Sequence, residues 1–171
     1  MDIRRTAALI AAALVALTAS PTASAVPAAS TEAAPGPGGG RFTIAQVRDD
    51  DGPEALLTAL DGPDGKVVLD AEGAPGGQVW RVACFPDATC SFSVPGGVRH
   101  LNVLGRPEAG SEVATTWSPL SWRVTPVDNG TVLIALRNNQ GVGPAASPLD
   151  VHPTPVVLDT AGLWRLKRAG S

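Results

Sequence analysis

The chain has 171 residues, 44% of them apolar and 17% charged, with a net charge of −3, two cysteines and two histidines. So mildly acidic a balance gives no sign of the basic face that a nucleic-acid binder carries, and no nucleic-acid partner is expected. Neither histidine, His100 or His152, stands in a metal-ligand spacing such as His-x-x-x-His, so no metal or cofactor is expected.

At the N-terminus, Arg4 and Arg5 precede an apolar run from Ala7 to Leu17, and small residues follow, ending Ala23-Ser24-Ala25. This is the order of a secretory signal peptide, with cleavage after Ala25. Residues 1–25 are therefore expected to be removed and the mature protein to be secreted. Read instead as an anchor, the eleven-residue run is short of the ~20 apolar residues that cross a bilayer, and no later segment reaches that length. No membrane partner is expected once the signal is cleaved. Residues 26–40, VPAASTEAAPGPGGG, are too rich in Pro, Gly and Ala to bury a core and read as a disordered leader. Residues 41–171 remain, enough for one domain, expected to be a monomer. Loss of Asp2, Arg4 and Arg5 leaves 11 basic and 15 acidic residues.

Trp80, Trp122 and Trp164 lie 42 residues apart twice over, each followed by Arg and an aliphatic residue: Trp80-Arg81-Val82, Trp122-Arg123-Val124 and Trp164-Arg165-Leu166. A fixed period is the mark of a repeat architecture. Between the tryptophans, short β-rich runs alternate with Gly, Pro, Asp and Asn, and no segment holds a helical period. In chain order the first unit predicts strands over 41–47, 55–60, 66–69 and 78–82. The second predicts 90–94, 99–104, 112–116 and 121–125. The third predicts 131–136, a weak strand at 149–151, then 155–158 and 163–168. Twelve strands in three units of about 42 residues predict an all-β fold, a β-trefoil, with each repeat tryptophan a core residue on the last strand of its unit. A β-sandwich would share the short strands but not the period.

Cys84 and Cys90 flank Phe85-Pro86-Asp87-Ala88-Thr89, and an even cysteine count in an exported chain predicts a disulfide. The same stretch one period on, Pro126 to Thr131, contains Asn129-Gly130, a hairpin-turn pair. The bridge is thus expected to staple a hairpin between two units; in the functional reading it stiffens a loop presented to a partner, with Phe85 as its apolar tip. Catalytic chemistry finds no footing: no nucleophile-elbow motif occurs, and Asp49-Asp50-Asp51-Gly52 lacks the alternating ligands and closing glutamate of a calcium loop.

Two groups of trefoils share short motifs with this chain. Gln78-Val79-Trp80 resembles the Gln-x-Trp motif that closes the units of ricin-type lectins, although Leu120 and Gly162 replace the glutamine in the other two units. That likeness implies a carbohydrate-binding module of degenerate ricin type. The sequence has no tyrosine, and Trp117 is the one tryptophan outside the repeat. Arg41-Phe42-Thr43-Ile44, Lys66-Val67-Val68-Leu69 and Pro119-Leu120-Ser121-Trp122-Arg123-Val124 are similar to segments of the β-trefoil serine protease inhibitors described from mushrooms, the mycospins. This second resemblance implies a non-enzymatic inhibitor of a serine protease and is the leading expectation, with carbohydrate binding as the alternative. An inhibitory loop enters the protease as a substrate would, so a trypsin-like target asks for an exposed Lys or Arg. Lys66 and Arg137 are the candidates for the reactive position, Phe85 marks an alternative loop, and Arg106 is disfavoured by the Pro107 that follows it.

Overall fold

The computed structural model describes residues 39–48, 53–61, 65–96, 98–128, 130–149 and 151–170. The signal peptide, nearly all of the leader and the acidic stretch Asp49 to Gly52 lie outside the described residues. Twelve strands occur among those residues, and no helix. The first unit supplies β1 (Gly40–Gln46), β2 (Ala55–Ala59), β3 (Val67–Ala71) and β4 (Val79–Cys84). The second supplies β5 (Thr89–Ser93), β6 (His100–Val103), β7 (Val113–Thr116) and β8 (Trp122–Pro126). The third supplies β9 (Thr131–Leu136), β10 (Val142–Ala146), β11 (Thr154–Thr160) and β12 (Leu163–Arg168).

The first and last strands of each unit pair in a closed ring, β1 to β4, β5, β8, β9, β12 and back to β1, all antiparallel. Closure removes the exposed edges that an open sheet would leave. The middle strands form three hairpins, β2–β3, β6–β7 and β10–β11. Each hairpin leans on the next, through Lys66 beside Ala114, Glu112 beside Val157, and Thr154 and Pro155 beside Leu69 and Val68. A six-stranded barrel with three capping hairpins under threefold repetition is a β-trefoil.

Strand alternation explains why the repeat takes this form. Trp80 and Val82, Trp122 and Val124, and Trp164 and Leu166 point into the barrel, while Arg81, Arg123 and Arg165 between them point out. All three tryptophans are 0% exposed and pack with Phe42, Ile44, Phe92 and Ile134. Trp80 Nε1 donates to Leu57 O at 2.8 Å, and Trp122 Nε1 donates to Leu101 O at 3.1 Å. Trp164 Nε1 finds no acceptor among the described residues.

The tenth strand corrects the sequence expectation. It runs over Val142–Ala146, not 149–151, where Leu149 is 64% and Val151 46% exposed. Gly143 and Pro144 read as breakers, yet the fold needs the first and accommodates the second. A Cβ on Gly143 would lie 2.0 Å from Ile134 O, and Pro144 is tolerated because β10 ends the sheet path. Pro144 also occupies the place that Leu57 and Leu101 hold in the other units, where their carbonyls accept the tryptophan N–H.

Cys84 and Cys90 are directly opposed on β4 and β5 and joined by a disulfide. In the turn between them Phe85 N donates to Thr89 O at 2.8 Å and Ala88 N to Phe85 O at 3.1 Å, with Ala88 at φ +60°. One period on, Val127 N donates to Thr131 O at 3.0 Å and Gly130 takes the left-handed position at φ +76°. The two turns share one design, a tight turn followed by a left-handed residue, where glycine is the unstrained choice.

Candidate functional site

Strand register defines three equivalent surface positions. Leu57 faces Leu69 in the first hairpin, Leu101 faces Thr115 in the second and Pro144 faces Leu158 in the third. Two residues outward from each pair stand Ala55 with Ala71, Arg99 with Trp117, and Val142 with Thr160. The backbone frame is the same, so the side chains at these places decide what each unit presents.

In the first unit the two alanines leave space. An open groove of about 1010 Å³ lies there, lined by Gln46, Arg48, Glu54, Ala55, Asp70 and Ala71, with Leu149 and His152 of the β10–β11 connection on its other side. Glu54 anchors one wall: its Oε1 accepts from Arg165 Nη1, and its Oε2 accepts from Lys167 Nζ at 2.5 Å. The Lys167 hydrogen bond holds the Glu54 carboxyl below its ordinary value, with Arg165 acting in the same direction and partial burial opposing both. Asp70 Oδ1 accepts from Ala71 N at 2.8 Å. Gln78, the motif glutamine, donates through Nε2 to Ala71 O at 2.7 Å and to Thr58 Oγ1 at 3.2 Å, and its Oε1 accepts from Gly73 N at 2.9 Å. It ties down the β3–β4 connection beside the groove.

In the second unit the equivalent space is filled. The Arg99 guanidinium lies 5.9 Å from the centroid of the Trp117 ring, a cation–π distance, and Arg99 Nη2 donates to Thr115 O at 2.7 Å. Gly65 from the first hairpin presses against this pair: a Cβ there would come within 2.1 Å of Arg99 Nη2. Asn102 Nδ2 donates to Thr116 Oγ1 at 2.9 Å and Ser118 O at 2.8 Å, holding the two residues that flank Trp117. The indole itself is 74% exposed, against 0% for the three repeat tryptophans. Sequence reasoning singled out Trp117 only as lying outside the repeat; its Arg99 partner emerges from the register of β6 and β7.

The inhibitor candidates fall in two places. Lys66 is exposed at the base of the β2–β3 turn, but its carbonyl accepts from Leu60 N at 2.9 Å and its backbone bridges to Ala114. Arg137 follows β9, and its Nη2 pairs with Asp87 Oδ2 at 3.2 Å, so the structure brings Arg137 and the disulfide turn together. Asp87 also accepts from Thr89 Oγ1 at 2.6 Å, the first cause of a carboxyl held below its ordinary value. Phe85 is about half exposed at the edge of that turn. Arg106 is exposed, with its carbonyl taken by Ser111 Oγ at 2.8 Å. His152 borders the groove, and His100 lies on β6 with its Nδ1 buried and without a partner among the described residues. Among the described residues no group of three or more His, Cys, Asp or Glu is placed to hold a metal ion.

With this geometry in place, solved structures supply the comparison. The chain is similar to a ricin B-like lectin from Macrolepiota procera solved with lactose, at 17% identity and a TM-score of 0.62, covering 77% of this chain and 97% of that one. The fold is shared. The Rhizoctonia solani agglutinin matches at 11% identity and a TM-score of 0.63, covering 77% and 96%. A designed threefold-symmetric protein, ThreeFoil, matches at 14% identity and a TM-score of 0.61, covering 74% and 96%. No family model matches the sequence, and no curated protein matches it at a significant level.

Proposed function

We propose that this is an exported, non-catalytic carbohydrate-binding module of degenerate ricin type, using Trp117 as its sugar platform. The observation that carries the proposal is the Trp117 indole, exposed on one side and stacked by Arg99, itself tied to Thr115. A large ring held at the surface offers a flat apolar face at little cost in side-chain freedom, which suits the C–H face of a sugar. The hydroxyl groups around such a ring need polar partners, and the carboxylate and amide groups lining the first-unit groove offer a second polar surface. Two of the structural neighbours are a lactose-bound lectin and an agglutinin, which leans the same way.

Serine protease inhibition draws less support. The Lys66 carbonyl and the Arg137 guanidinium are already engaged, whereas an inhibitory loop offers both to the enzyme. The test is a glycan array on the mature protein beside trypsin, chymotrypsin and subtilisin assays. Glycan signal that disappears in Trp117→Ala, with all three proteases unaffected, is the expected outcome. Inhibition without any glycan signal would overturn the proposal.

A further inference from the structure

The outward arginines of the repeat, Arg81, Arg123 and Arg165, occupy equivalent places on the last strand of each unit. Each faces the first strand of the following unit at one register: Arg81 opposite Ser93, Arg123 opposite Ala135 and Arg165 opposite Ala45. Beyond that strand, the residue just before the next unit's outward pair is Val98, Gly141 or Glu54 respectively. At the third of these junctions the two side chains meet, and Arg165 holds the Glu54 carboxylate. At the junction of the second and third units the acid is missing, because glycine stands in its place.

Arg123 therefore lacks the acid that its counterpart Arg165 holds through Nη1. It is partly buried, and its Nε also has no hydrogen-bond acceptor among the described residues. Asp87, two residues before the Thr89 that faces Arg123 across the strands, pairs with Thr89 and Arg137. Arg81, by contrast, is exposed and solvated. A guanidinium without the carboxylate that its counterpart holds is a standing demand for an anion at its terminal nitrogens, and a carboxylate meets it best because its two oxygens match the guanidinium fork. Gly141 itself is uncrowded, since a Cβ there would touch nothing closer than Asn139 Oδ1 at 3.6 Å.

We infer that Arg123 is a carboxylate-binding position, open at Gly141, and that its ligand is a sugar acid whose carboxylate takes the place Glu54 holds beside Arg165. Its assignment to a sugar acid rests on the carbohydrate-binding reading above; the carboxylate chemistry rests on Arg123 alone.

The decisive variant is Gly141→Glu, which would restore the missing acid and occupy Arg123 from within. The Arg123 Nε–H signal would be followed by NMR while glucuronate, glucose or acetate is titrated into wild type, Gly141→Glu and Arg123→Gln. Glucuronate should shift that signal saturably in wild type, acetate should do so more weakly, and glucose should not. Gly141→Glu should move the signal before any ligand is added and weaken glucuronate binding about tenfold or more, as should Arg123→Gln, followed by calorimetry. Neutral oligosaccharide binding, read from Trp117 fluorescence, should be unchanged in Gly141→Glu. An Arg123 signal indifferent to glucuronate overturns the inference, and so does equal binding of acetate and glucuronate, which would mark an unspecific anion site. Glucuronate acting at Arg123 while neutral oligosaccharides leave Trp117 silent supports this position and fails only the Trp117 proposal.

Discussion

The first and second units are built on one frame and present different surfaces. Leu57 and Leu101 accept from Trp80 and Trp122 in the same way. Two residues outward, Ala55 and Ala71 leave a groove, whereas Arg99 and Trp117 fill the same place with a stacked pair. The repeat therefore constrains the inward positions, where three rings must pack at one level, and leaves the outward ends of the hairpins free to differ. The proposed sugar platform, Trp117, lies in one of those departures from symmetry.

Breaking the frame should have the largest effect. Trp122→Ala removes a fully buried ring and should destabilise the domain by roughly 3–5 kcal/mol in denaturant unfolding. An unchanged midpoint would mean the ring is not where the core needs it. A finer probe compares units through one atom. Trp80→Phe deletes a buried hydrogen bond to Leu57 O, but Trp164→Phe deletes an N–H that has no acceptor among the described residues. Both lose ring volume, so Trp80→Phe should be the more damaging by about 0.5–1.5 kcal/mol.

The two register-matched turns allow a comparison with the opposite sign. Ala88 sits at φ +60° where Gly130 sits at φ +76° in the other turn. Ala88→Gly should relieve that strain and stabilise the protein by up to ~1 kcal/mol, read as a raised unfolding midpoint with the disulfide intact. A loss of stability would show that the turn is held differently.

Much of this frame was legible in the sequence, because the 42-residue spacing of Trp80, Trp122 and Trp164 reflects a packing requirement repeated three times. The opposed pair Cys84 and Cys90 was legible for a similar reason, since hairpin pairing follows from turn length. The tenth strand was not. Val142-Gly143-Pro144 has the composition of a loop, and only the approach of Ile134 O explains the glycine. Contacts between units were hidden as well: the Glu54 carboxylate meets Arg165 and Lys167 more than a hundred residues away, and no local pattern records that.

That ion pair gives the smallest expected effect. Because the folded-state pKa of Glu54 lies below the ordinary 4.5, its contribution is fully present above that value and is lost as pH falls through the lower folded-state value. Glu54→Gln should cost no more than ~1 kcal/mol near neutrality, given how exposed the partners are. The gap between the two proteins should close as pH falls below 4.5 and through that lower folded-state value. A gap that widened on acidification would reverse the sign and refute the pairing.

The contrast between the filled and the open position is tested most directly by Trp117. Calorimetric titration of wild type and Trp117→Ala with the best oligosaccharide from a glycan array should give measurable affinity in the first. In the second it should be about tenfold weaker or worse, a loss of roughly 1.4 kcal/mol or more, with the unfolding midpoint nearly unchanged because the ring is exposed. Equal affinity in the two proteins would contradict the account, since the one exposed tryptophan would then take no part in binding.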